Sequence, residues 1–163
     1  MHQTSISCLR VLDTVYADDP MYSDGQRALI SFSHPSRILP AADSAAPDPN
    51  IFGPEPPHDW CYFFEKADLA RQQSDWKTVI ALFQQAGQKG LTPKTGVEYI
   101  PFIEAYAQTG NWQKAYDLTL SAQKMTANLG MMLCNSWSRL SQLPSSDTNM
   151  VGQVRQILAC RNF

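Results

Sequence analysis

From residue 58 onward, apolar residues recur at intervals of three and four, the period of helices with one face in a core. Phe63, Ala67 and Ala70 mark the first stripe, over 59–73. Trp76, Val79, Ile80, Phe83 and Ala86 mark a second near 76–89, closed by Gly90 with Pro93 beyond it. Phe102, Ile103, Tyr106 and Ala107 predict a helix over 98–108, with Pro101 near its first turn, where a missing N–H costs least. Trp112, Ala115, Leu118, Thr119, Ala122 and Met125 predict the next, over 112–125. A less regular pair follows. Leu129, Met132, Leu133, Trp137 and Leu140 mark one helix; Val151, Val154 and Leu158 mark the last, capped by Ser146 or Asp147.

Before residue 58 the period changes. In "RALISFSH" (27–34), Ala28, Ile30 and Phe32 alternate with Leu29, Ser31 and Ser33, which predicts a half-buried strand. "TSISCLRVLD" (4–13) reads as a second short strand, with "ADDPMYSDGQ" as the loop between. Two strands make no stable sheet alone, so they pack on the helical part or on strands elsewhere. Six prolines in 40–57, "PAADSAAPDPNIFGPEPP", predict an extended linker or strap. The expected organisation is a short β-containing segment (1–39), a Pro-rich strap (40–57) and a helical domain (58–163). The helical domain should hold nearly all the stability, with residues 52–60 packed on its first hairpin through Phe52 and Trp60.

Within the helical part, "QSDWKTVIAL" (73–82) returns 36 residues later as "TGNWQKAYDL" (109–118). A turn, a Trp and an apolar stripe recur together. Gly110 permits a tight turn, Trp112 fills the space between paired helices, and Ala115 and Ala122 let helices approach closely. Residues 99–122 closely resemble a tetratricopeptide repeat at Tyr106, Gly110, Asn111, Trp112, Ala115 and Ala122. Residues 63–86 resemble it at Asp75, Trp76 and Ala86, with Ser74 where Gly is usual and Val79 where Ala is usual. The fold class expected is therefore mainly α, a short tetratricopeptide-like stack of about three helical hairpins. The register of that repeat implies a groove lined by Phe64, Asp68, Arg71 and Gln72 from one unit and by Ile100, Glu104, Ala107 and Gln108 from the next. Such a groove suits a peptide or a neighbouring domain, including one of its own parent protein.

A second resemblance rests on "FGPEPPHDWCYFFEKADLARQQSDW" (52–76) with "CLRVLD" (8–13) upstream. These strings look like the C-terminal soluble region of uncharacterised bacterial multipass membrane proteins, some of them similar to membrane glycosyltransferases that use lipid-linked sugars. The resemblance implies a non-catalytic tail on the extracytoplasmic face of a bacterial membrane; without it, the chain reads as cytoplasmic. The alternative roles are an accessory domain that positions the acceptor of a membrane glycosyltransferase, and a purely structural domain.

Charge and chemistry narrow this further. The net charge of −2 over 163 residues offers no basic face to displace counterions, so nucleic acid is not an expected partner. No apolar run reaches the roughly 20 residues of a membrane span, and the start "MHQTSISCLR" lacks the pattern of a signal peptide. Cys8, Cys61, Cys134 and Cys160 form no CxxC pair; buried free thiols are the leading reading and two disulfides the alternative. His58, Asp59, Cys61 and Glu65 cluster at a helix start, but Asp59 there suits the helix dipole better than a metal. His2 and His34 have no ligand spacing. Asp18 and Asp19 read as a solvated turn. Neither HExxH, a phosphate loop nor a GxSxG elbow occurs. No cofactor, metal or catalytic residue is expected.

Overall fold

A computed structural model describes residues 8–10, 22–38, 48–55 and 57–161 of the chain. The described residues are mainly helical and contain no strand. Two short helices, α1 (Asp24–Ile30) and α2 (Pro49–Phe52), precede six longer ones. These are α3 (Trp60–Gln72), α4 (Trp76–Gln88), α5 (Ile100–Gln108), α6 (Trp112–Met125), α7 (Gly130–Ser141) and α8 (Thr148–Ile157). Helices α3 with α4, α5 with α6, and α7 with α8 pack as successive hairpins, and α4 also packs on α5.

The strand expected at 27–34 is instead helix over residues 27–30 and turn or irregular chain beyond, and the reason is local. Ser23 accepts from the Gln26 backbone N–H while the Gln26 side chain accepts from the Ser23 N–H, a complete capping box. That box starts a helix whose backbone groups need no partner strand. Only Ile30 of its apolar residues is buried; Leu29 and Phe32 face solvent. Of the strand expected at 4–13, residues 8–10 are described and are not in a strand; the rest lies outside the described residues, as do His2, Asp18, Asp19 and 39–47. The strap is not simply extended either, because Asp48 caps α2 with Pro49 in its first turn. Phe52 is 74 % exposed, so it does not dock on the first hairpin as expected. Trp60 is buried, at 2 % exposed, as the first residue of α3 itself.

The helical stripes read from the sequence form the core. Phe63, Ala67, Ala70, Val79, Ala86, Phe102, Ile103, Ala107, Trp112, Ala115, Ala122, Leu133, Trp137 and Val154 are all buried. Phe83 stacks on Phe102 with ring centres 4.3 Å apart, and the Trp60 ring meets both from α3. Trp112 is buried; its counterpart Trp76 is only half-buried against the same core. Met125 lies at the exposed end of its stripe.

The second helix of each hairpin begins the same way. Asp75, Asn111 and Asp147 are the N-caps of α4, α6 and α8, each accepting from backbone N–H groups of the first turn. They stand 36 residues apart in each step (111 minus 75, 147 minus 111). Just before the first two caps the chain turns through the left-handed region, at Ser74 (φ 60°) and Gly110 (φ 83°). The cap N–H then returns to Ala70 or Tyr106, five residues back. The third turn is longer and lacks this geometry.

Disulfides join Cys8 to Cys61 and Cys134 to Cys160. The preferred reading of free thiols is therefore corrected. The pairing ties residue 8 to α3, and α7 to the chain just beyond α8. Spacing alone could not decide this, because the partners are brought together only by the folded path.

Candidate functional site

The polar centre of the molecule is a line of alternating charges that crosses the first helices of all three hairpins. Asp68 on α3 pairs with Arg71 one turn on, Nη2 to Oδ1 2.8 Å. Arg71 reaches across to Glu104 on α5, Nη1 to Oε2 3.1 Å. Glu104 is met from α7 by Arg139 (2.8 Å) and by the Ser136 hydroxyl, which donates to Oε1 at 3.2 Å. At the other end, Arg10 pairs with Asp68, Nε to Oδ2 3.4 Å. Asp68, Arg71 and Glu104 are buried; Arg139 is more open.

Burial alone would raise the Glu104 carboxyl. Arg71 and Arg139 outweigh that cost through charge and hydrogen bonding, and hold it below the ordinary carboxylate value. It is thus an ionised group with both oxygens engaged. Such a carboxylate is neither a proton donor nor a free base, and its ion pairs join α5 to α3 and to α7.

A third buried carboxylate, Glu98, lies in the 3-10 turn Gly96–Tyr99 that leads into α5. Its Oε2 accepts from Trp60 Nε1 (2.6 Å) and from the Lys94 backbone N–H (2.7 Å). Its Oε1 lies 3.7 Å from Sγ of Cys8, which carries no proton in the disulfide.

Residues 8–10 run along one face of α3. Cys8 bonds to Cys61, the Leu9 backbone N–H donates to Glu65 Oε1 (3.0 Å), and Arg10 pairs with Asp68. The three anchors, 61, 65 and 68, sit at helical spacings of four and three.

The eight residues of the expected groove are therefore not an open lining. Phe64, Asp68, Arg71, Ile100, Glu104 and Ala107 are buried, while Gln72 and Gln108 are half-buried. The structure brings Asp68, Arg71 and Glu104 together and fills the space beside them with Arg10, Ser136 and Arg139. Sequence reasoning did not single out Arg10, Glu98, Ser136 or Arg139. A signal was present for two of them: Glu98 interrupts the apolar run "VEYIPFI", and Arg139 falls between the core residues Trp137 and Leu140.

The expected helix-start cluster also resolves into separate tasks. Asp59 caps α3 by accepting from Tyr62 N–H, Cys61 is in a disulfide, and Glu65 holds Leu9. His58 contacts Glu55 at 2.6 Å and stacks on Tyr62 with ring centres 3.5 Å apart. Among the described residues, no group of three or more His, Cys, Asp or Glu is placed to hold a metal, and no helix is long and apolar enough to cross a membrane. Comparison with protein-family models, curated proteins and solved structures gives no match to the chain.

Proposed function

We propose that the chain is a non-catalytic interaction and scaffolding module of the tetratricopeptide type, working as the soluble part of a larger protein. The observation that carries this is the recurrence of the hairpin start at Asp75, Asn111 and Asp147, at a constant step of 36 residues. Salt bridges between the first helices, one buried and one partly buried, support it, since they set neighbouring hairpins in fixed register. The aromatic side chains favour a scaffold over the positioning of a sugar acceptor. Trp60, Phe63, Phe64, Phe102, Trp112 and Trp137 are in the core rather than on a face that could stack on sugar rings. Two disulfides favour an oxidising compartment, in keeping with an extracytoplasmic tail.

The test is a displayed library of extended peptides panned on the intact, oxidised chain. Hits are re-measured on Gln72→Lys and Gln108→Lys chains, altered at the two half-exposed groove positions. Enrichment of one sequence pattern whose binding falls in these variants supports the reading. No enrichment above a heat-denatured control, or hits indifferent to both substitutions, sinks it.

A further inference from the structure

We propose that the α3 face bearing Glu65 and Asp68 is a receiving site for an extended, arginine-bearing segment, closed in the oxidised chain by its own residues 8–10. The inference rests on the interaction-module reading and names the ligand chemistry and control of one part of it. The seated segment shows what the face recognises. Glu65 takes a main-chain N–H (3.0 Å), a contact blind to side-chain identity, and Asp68 takes a guanidinium one residue further on (3.4 Å). Leu9, between the two side-chain anchors, is 69 % exposed and contributes no apolar pocket. Recognition is thus by backbone plus one cation, the pattern of a site that accepts different sequences provided an Arg stands at one position.

The Asp68 carboxylate is held in place whether or not the segment is present, because Arg71 pairs with its other oxygen at 2.8 Å. The site is therefore built before its occupant arrives. What closes it is covalent. The Cys8–Cys61 bond holds residue 8 against α3.

Opening requires a dithiol. Its two thiols become a disulfide, and the two electrons and two protons they release leave Cys8 and Cys61 as thiols. The freed segment still competes from the same chain at an effective concentration on the order of millimolar. An outside segment therefore prevails only where the resident one is weakened or the newcomer binds better.

The experiment uses the full chain in two forms, oxidised wild type and an open form carrying Cys8→Ser, Cys61→Ser and Arg10→Ala. A dye-labelled peptide of residues 5–12, with Ser in place of Cys8, is titrated into each and followed by anisotropy. The open form should bind it and the oxidised wild type should not. Replacing the peptide's Arg with Ala should weaken binding by about tenfold or more, the contribution of one charge-assisted hydrogen bond. Glu65→Gln in the open form should weaken both peptides alike. Circular dichroism of the triple variant and of wild type opened by dithiothreitol reports the helices and guards against a misfolded variant.

Equal binding to open and closed chains overturns the proposal, as does binding indifferent to the peptide's Arg. A triple variant that keeps its helices but ignores the peptide overturns it too, and leaves the repeat reading standing, since that is tested on the closed chain. Loss of the helices in both open forms makes the disulfide a structural staple, and the proposal fails.

Discussion

At Glu104 the chain carries a carboxylate into the interior between two arginines, and the cost of losing it follows from what would remain. Glu104→Ala leaves Arg71, whose side chain is fully buried, without its anionic partner on α5. Breaking a buried pair in this way costs about 3–5 kcal/mol, which urea unfolding of the variant should show. The same residue sets an acid limit. Its pKa is lower folded than its ordinary 4.5, so its contribution is complete above that value. The contribution is lost as the pH falls below 4.5 through the folded value. Melting curves of wild type and Glu104→Gln should therefore converge on acidification below 4.5. Ser74 is the converse case. It is exposed and occupies the left-handed region where Gly110 stands in the next hairpin. Ser74→Gly should raise stability by about 1 kcal/mol, by relieving the contact between Cβ and carbonyl that L-residues suffer there.

At the scale of helices, a large aromatic and a missing Cβ decide the packing of the second hairpin. Trp112 is buried with its ring centre 6.0 Å from that of Trp137, whose Nε1 donates to Thr119 at 2.9 Å. Trp112→Ala should cost about 3–5 kcal/mol, measured by denaturant unfolding. Gly96 is buried against α6, and a Cβ there would fall within contact distance of the Ala122 carbonyl oxygen and Leu129. Gly96→Ala should cost about 1–3 kcal/mol and loosen the amides of α6 in hydrogen exchange. These helices were legible from residues 76, 79, 102, 112, 115 and 137 because a 3.6-residue stripe is a direct image of one buried face. The charge line was not, since Arg10 and Asp68 lie 58 residues apart and their meeting depends on the path between. The helix at Asp24–Ile30 was misread for a different reason. Alternation over a few residues suggested a strand, while the box formed by Ser23 and Gln26, present in the letters "SDGQ", was the stronger local term.

For the molecule as a whole, a series of hairpins is weakest at its ends, where each unit has one neighbour instead of two. Here both ends are closed, by Cys8 to Cys61 in front and Cys134 to Cys160 behind. Replacing both cysteines of the second pair with serine should lower stability by about 3.5 kcal/mol, the chain-entropy value for a loop of 26 residues. The closures also set how the protein would behave as a mechanical element. Tension applied at the two termini passes from residue 8 directly to 61, and from 134 directly to 160. The first 53-residue loop and the last 26-residue loop lie outside the force path. Between the two bonds, only the 73 residues from Cys61 to Cys134 (134 minus 61) can pay out. At about 3.4 Å per residue, that middle stretch lengthens to about 250 Å, against about 520 Å for the 152 residues from Cys8 to Cys160 (160 minus 8) of the reduced chain. Single-molecule pulling with and without a reducing agent would read this difference as a stop in extension: a tether with a built-in limit, whose length is set by oxidation.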